Sequence, residues 1–252
     1  MLVDPSMAAI SDLTFRTAFV LYIVALVMSC IYYSRLLGVV DMRRERKELE
    51  SRAVEAVTDQ KVAVGAGVGA SVSAGTSFAQ ADDGLAGDTV STAALDAEYD
   101  KRVAAARRWA GMTQALVWFG IVLHIAAFVT RGFAARRFPL GNLYEYLLLM
   151  TSVIMLVAAV VIQRKSWHSI WPWLLFPMVI VMFLNSTVFH LKAAPVVPAL
   201  QSYWMPVHVS TVSIGASIGV VSGIFALLYL LRMWQPKGQE HGFFGAIAKP
   251  LP

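Results

Sequence analysis

Cysteine is almost missing from this chain of 252 residues. The single one, Cys30, lies inside the first apolar block, so no intrachain disulfide can form and there is no Cys-x-x-Cys for thiol redox chemistry. Charge is scarce too. Only 15% of the residues are Asp, Glu, Lys or Arg, against 58% hydrophobic, which excludes an ordinary soluble domain. The net charge of +5 is modest, and the basic residues stand beside apolar blocks. There it reads as a topology signal, and nucleic-acid binding is not inferred from it. Asp82, Asp83 and Asp88 lack the spacing of an EF-hand loop and read as part of a solvated linker.

What is present is a set of five apolar blocks, each long enough to cross a bilayer as a helix or nearly so. The expected fold class is therefore all-α: a polytopic integral membrane protein of about five transmembrane helices in the plasma membrane. The first span is expected over about Thr14 to Tyr33. Asp4, Asp12 and Arg16 precede it and basic residues follow, the reverse of a signal peptide, so it reads as an uncleaved span with its N-terminus outside. A long polar segment, residues 34–108, holds over half of the lysines and arginines and is expected in the cytoplasm. It contains the charged helical run Asp41 to Glu50 and the Gly/Ala/Ser tract Val64 to Gly75, whose composition buries little.

Four further spans are expected within residues 109–231, a four-helix membrane domain, followed by a cytoplasmic tail over 232–252. The second span, Trp109 to Val129, carries His124. A histidine inside the bilayer is costly and is a functional candidate, with a hydrogen bond to a neighbouring helix as the alternative. An outer loop follows with Arg131, Arg136 and Arg137, against the positive-inside trend. Arginine forks suit carboxylates and phosphates, so a propionate or a lipid headgroup would satisfy them. Asn142 and Glu145 have the spacing of a capping box opening the third span, which runs to about Ile162. The fourth span, about Ile170 to Leu184, begins among Trp167, Trp171 and Trp173 and should kink at Pro177. His168 reads as incidental, and His190, beyond the span, as a possible second external ligand.

The fifth span, within Pro198 to Leu231, organises the reading. Tyr203 and Trp204 lead through Pro206 to His208 at the mouth of the helix, one turn beyond Trp204. Gly215, Gly219 and Gly223 recur every four residues and share a face, and His208, seven residues before Gly215, belongs to it. Such a face admits a neighbouring helix or a flat ligand. A neutral imidazole there suits a metal or haem iron, with a packing histidine as the alternative.

Two motifs carry a resemblance. Arg136-Arg-Phe-Pro-Leu-Gly-Asn-Leu-Tyr-Glu-Tyr146 is similar to the P-x-x-N-L-Y-E-S signature of the CcsA/ResC family of cytochrome c biogenesis proteins (system II, called CcsB in some bacteria), with Tyr146 in place of serine. Pro198-Ala-Leu-Gln-Ser-Tyr-Trp-Met-Pro-Val-His-Val209 resembles that family's L-Q-S-x-W-L-x-x-H-V segment. The resemblance covers roughly Trp109 to Leu231. It implies haem handling at the outer membrane face, with haem b as substrate or transient ligand, apocytochrome c as acceptor and a ResB/Ccs1-type membrane protein as partner. It implies that His208 is an axial ligand of the haem iron. Trp204 and Tyr203 would pack on the haem edge, and Arg131, Arg136 and Arg137 are the propionate candidates, with His124 a further haem-site candidate. The family's tryptophan-rich W-G-x-x-W-x-W-D segment is absent from the sequence. The resemblance therefore implies part of a haem lyase, its remainder cut away or supplied by another chain, and no catalytic residue is assigned. The rival readings are a small-molecule transporter, hinted at by His124 and Pro177, and a structural membrane subunit.

Overall fold

The computed structural model describes residues 4–66, 82–192 and 202–234. Most of the Gly/Ala/Ser tract, the start of the second motif (Pro198 to Gln201) and the tail from Gln235 lie outside the described residues. Every element among the described residues is helical: α1 (Pro5–Ala66), α2 (Asp82–Ala135), α3 (Leu143–Lys165), a 3-10 turn (His168–Ile170), α4 (Trp171–Thr187) and α5 (Trp204–Met233). Five stretches are long and apolar enough to cross a membrane, so the chain is a multi-pass membrane protein.

The chain divides into two compact units. One, Arg35–Arg107, contains the charged parts of α1 and α2. These run antiparallel, since Gly38 lies beside Arg102 and Arg46 pairs with Asp96 at 3.2 Å. The other unit, Met1–Ser34 with Arg108–Pro252, is the membrane bundle.

In the bundle α1 begins earlier than the first span was expected to. Pro5 fits the first helical position, where its missing N–H costs nothing. The Asp4 carboxylate caps the helix, accepting from the backbone N–H groups of Ser6 at 3.0 Å and Met7 at 3.4 Å. These hydrogen bonds, led by one from the Ser6 hydroxyl, hold the Asp4 carboxyl below its ordinary range. Nothing between Pro5 and Thr14 stops a helix, so apolarity alone placed the start too late.

The buried stripe of α1 is Ser11, Phe15, Ala18, Tyr22, Ala25, Ser29 and Tyr33, spaced by threes and fours as one face of a helix. Alternating small and aromatic residues let α2 come close. A methyl group at Gly120 would lie 2.8 Å from the Tyr22 ring. α1 and α2 are antiparallel, as the Asp4 N–H donates to Ala134 O at 3.0 Å and the Ser11 hydroxyl to Ala127 O at 2.7 Å.

α3 starts on the expected cap. The Asn142 side chain accepts from the Glu145 N–H at 2.8 Å. It ends at Ser166, in the left-handed region with φ 55°, after Arg164 and Lys165 in its last turn. α4 follows without interruption through Pro177, and its Trp171 indole N–H donates to Gln114 Oε1 at 3.0 Å.

α5 lies parallel to α3. The Ser217 hydroxyl donates to Met150 O at 3.3 Å, and Phe225 meets Trp167 edge to face at 5.7 Å. Its buried residues are Ser213, Ser217, Val221 and Leu228.

These contacts sort the bundle into two ends. Gln114, Trp118, Gln163, Trp167 and Trp171 gather at one, tied by bonds such as Trp118 Nε1–H to Gln163 Oε1 at 2.9 Å. The starts of α1, α3 and α5 and the ends of α2 and α4 gather at the other, and so does nearly all the chemistry.

Candidate functional site

At that second end, three helices and the segments after α2 and α4 bring charge together inside the protein. Glu145 and Arg131 are the hub, with 0% and 1% of their side chains exposed. A carboxylate and a guanidinium this deep persist only when paired and hydrogen-bonded. Glu145 accepts from Arg137 through both oxygens, at 2.9 and 3.3 Å, and from the Gly141 backbone N–H at 2.8 Å. Its remaining neighbour is Arg131 Nε at 3.5 Å. Arg131 also reaches Asp12 of α1 at 3.4 Å, donates to the Leu191 carbonyl beyond α4, and lies over the Tyr144 ring with 4.9 Å to its centroid. One arginine thus fastens α1, α2, α3 and the segment after α4.

Gly141 makes this possible. A Cβ there would stand 2.4 to 2.6 Å from the Arg137 guanidinium, so only glycine lets the fork lie across it onto Glu145. Arg136 turns the other way. With φ 48° it ends α2 in the left-handed region, and its side chain is exposed. Its positive charge also helps hold the Asp4 carboxyl low.

The three arginines therefore differ. Arg131 and Arg137 have an internal carboxylate, and Arg136 faces outward. Sequence reading gave Glu145 the role of a cap and Asp12 that of a flanking charge. Their role as counter-ions to arginines elsewhere in the chain was missed. Glu145, eight residues after Arg137 in a loop whose arginines run against the usual charge bias, was the available signal, and Asp12 offered none. The cap itself is partly as expected: Asn142 does its half, but the Glu145 side chain turns to arginine and the Gly141 N–H.

His190 joins the edge of the cluster. Its Nε2 is 3.9 Å from Asp12, and its ring meets Tyr144 edge to face at 5.1 Å. His124 lies deeper, fully buried, between Phe15 (5.6 Å), Tyr22 (6.0 Å) and Thr151. No side of the ring is open to a porphyrin. His168 lies at the opposite end, beside the buried Ser169 and Trp171.

α5 carries the rest. His208 is exposed. Tyr203 and Trp204 are 86% and 71% exposed and meet each other edge to face at 6.3 Å. Among the described residues, no atom lies within 4 Å of where a side chain of Gly215, Gly219 or Gly223 would begin. The helix packs on Ser213 and Ser217, roughly 200° around from the glycines at 100° per residue. No described residue packs on the glycine face, and His208 and Trp204 lie along it. Because α5 parallels α3 with Ser217 level with Met150, His208 sits about 13 Å beyond that level and Glu145 about 8 Å, at 1.5 Å per residue. The histidine and the charge cluster thus share one end of the bundle. Among the described residues, no group of three or more His, Cys, Asp or Glu is placed to hold a metal ion.

No family model and no solved structure matches the chain. Curated proteins do. It is 33% identical over 106 residues to the cytochrome c biogenesis protein CcsA of Guillardia theta, covering 40% of this chain and 35% of that one. It is 30% identical over 133 residues to CcsA of Porphyra purpurea, 49% of this chain and 41% of the other. CcsA of Parasynechococcus marenigrum (strain WH8102) matches at 30% over 133 residues, with 48% and 41% covered. The chain spans about two fifths of the length of the curated relatives it matches. Over that shared stretch, which is nearly half of its own length at most, this chain is a relative of the CcsA cytochrome c biogenesis proteins.

Proposed function

We propose that this chain handles haem during the maturation of c-type cytochromes, in the plasma membrane, presenting it at the outer face for attachment to apocytochrome c. The observation that carries the reading is the similarity to CcsA. In this reading the charged end of the bundle faces outward, with the N-terminus outside and the C-terminus in the cytoplasm. Residues 1–33 serve as an anchoring span, 34–108 as a cytoplasmic loop, 109–231 as the haem-handling domain and 232–252 as a cytoplasmic tail. A ResB/Ccs1-type membrane protein works beside it.

His208 is the residue that would hold the haem iron. It is exposed, one turn from Trp204, on a helix face whose glycines leave room for a flat macrocycle. Trp204 and Tyr203 supply aromatic surface for the macrocycle's edge. Arg136, exposed, is the arginine with charge to spare for a propionate. Arg131 and Arg137 spend theirs on Glu145 and act behind it, fixing the loop that carries Arg136. His124, enclosed on all sides, is left out of the haem site. When bound, the haem supplies the vinyl groups to which cysteine thiols add. What the chain's own residues do is ligate, orient and neutralise.

The test is the visible spectrum of the full chain purified from membranes. A Soret band that His208→Ala abolishes and His190→Ala leaves is the expected result. A Soret band unchanged by His208→Ala overturns the ligand assignment, and a colourless protein favours a transporter or a structural subunit. A membrane-impermeant label on a cysteine placed beside His208 should react from outside the cell, and reaction from inside alone would reverse the orientation.

A further inference from the structure

Independently of any haem site, the middle of the bundle holds two buried polar atoms that complement each other. Thr151 Oγ1 donates its single proton to the Leu147 carbonyl at 2.6 Å. It can therefore only accept from His124 Nε2, 3.3 Å away. The proton of the neutral imidazole thus belongs on Nε2, which leaves Nδ1 as a bare lone pair. Nδ1 has no hydrogen-bond partner among the described residues, and neither has the hydroxyl of Tyr22, the next ring along the α1 stripe. His124 is 0% exposed and Tyr22 1%. Their ring centroids are 6.0 Å apart, and the two atoms make no direct hydrogen bond.

Inside a bilayer an unpaired donor and an unpaired acceptor are each costly, and no lipid can relieve them. One is a donor and the other an acceptor, so a single molecule that accepts from the first and donates to the second satisfies both. We propose that an ordered water molecule, held between the Tyr22 hydroxyl and His124 Nδ1, links α1 to α2 in the interior of the bundle. Two partners of opposite sense are the minimum for such a water. The tyrosine's other neighbour favours the site as well. Gly120, one turn before His124, lets the Tyr22 ring come close to α2, 2.8 Å from where a Cβ would stand. The role of His124 in this assignment is to fasten a helix pair, with Thr151 orienting the ring as a positioning residue.

The test uses the full chain in lipid nanodiscs with ¹⁵N-labelled histidine, the His124 resonances being identified by their loss in His124→Gln. Three results are expected together. His124 is protonated on Nε2. Its Nδ1 resonance moves toward the value of a free lone pair in Tyr22→Phe. Magnetisation transferred from water reaches the ring in the parent protein and is lost in that variant. A proton on Nδ1, an Nδ1 resonance indifferent to Tyr22→Phe, or a ring that receives nothing from water overturns the proposal. Tyr22→Phe removes one oxygen and keeps the packing, so the experiment does not depend on the histidine variant being well folded. A double-mutant cycle with His124→Leu gives a second reading. The double variant should be no less stable than the worse single one, and strict additivity would contradict the bridge.

Discussion

α3 and α5 are almost equally apolar, lie parallel and touch, yet they live in different surroundings. Half of the most apolar stretch of α3 is buried against protein, and only 17% of that of α5. α3 presents Tyr144, Glu145, Leu148, Thr151 and Met155 to neighbours on several sides. α5 leans on one stripe of small residues and turns its glycines, Trp204 and His208 away. In lipid there is no hydrophobic penalty for leaving a helix at the edge, so apolarity decides that a helix crosses and says nothing about what it meets. What pins α3 is polar: a capped start, a buried carboxylate and a hydroxyl facing a histidine. The open side of α5 is where something from outside the chain can sit.

The sharpest test of this contrast is at Glu145. Glu145→Gln leaves Arg131 and Arg137 without their shared carboxylate in the interior, and we expect a loss of roughly 3–5 kcal/mol in denaturant unfolding from micelles. Restoring neutrality with Arg131→Met in the same chain should recover part of it. An effect under about 1 kcal/mol would mean that the cluster is wet and that α3 is no more fixed than α5.

Gly141→Ala comes next. The new methyl displaces the Arg137 fork and breaks charge-assisted bonds of roughly 1.5–3 kcal/mol, measured the same way. Gly120→Ala pushes a rigid Tyr22 ring instead of a flexible fork and should cost roughly 1–3 kcal/mol.

Asp4 gives a weaker and pH-dependent effect. Its carboxyl is held below its ordinary value of 3.8 in the folded protein, so its stabilisation of α1 is present above that value. It disappears as pH falls through the lowered folded value. Asp4→Ala should flatten the acid limb of a stability–pH profile, lowering stability slightly above it and leaving it unchanged below the lowered folded value.

The smallest effect is expected at Gly219→Ala, within about 0.5 kcal/mol of the parent, because no described residue stands within 4 Å. A cost rivalling that of Gly120→Ala would show that the face is already occupied, and the contrast between α3 and α5 would fail.

The two motif segments show how far residues alone could go. Asn142 announces a helix start, because a side chain that accepts from the backbone N–H three residues on acts within a single turn. The chain's own pattern likewise placed His208 on the glycine face, since that follows from 100° per residue. Pairing is another matter. Arg131 and Asp12 are 119 positions apart, and nothing local says that they meet. The same holds for the Leu191 carbonyl, which secures the segment bearing His190.

By itself, then, the sequence determined that the chain crosses the membrane about five times as helices. Lipid offers backbone groups no partner, so apolar runs of this length have no other solution. It also determined which residues share each helix face. The tertiary structure decided which of those faces are covered, and which arginines are already neutralised and which one is left over. Burial and ion pairing depend on how helices are set against one another, and that register comes from packing among side chains far apart in the chain.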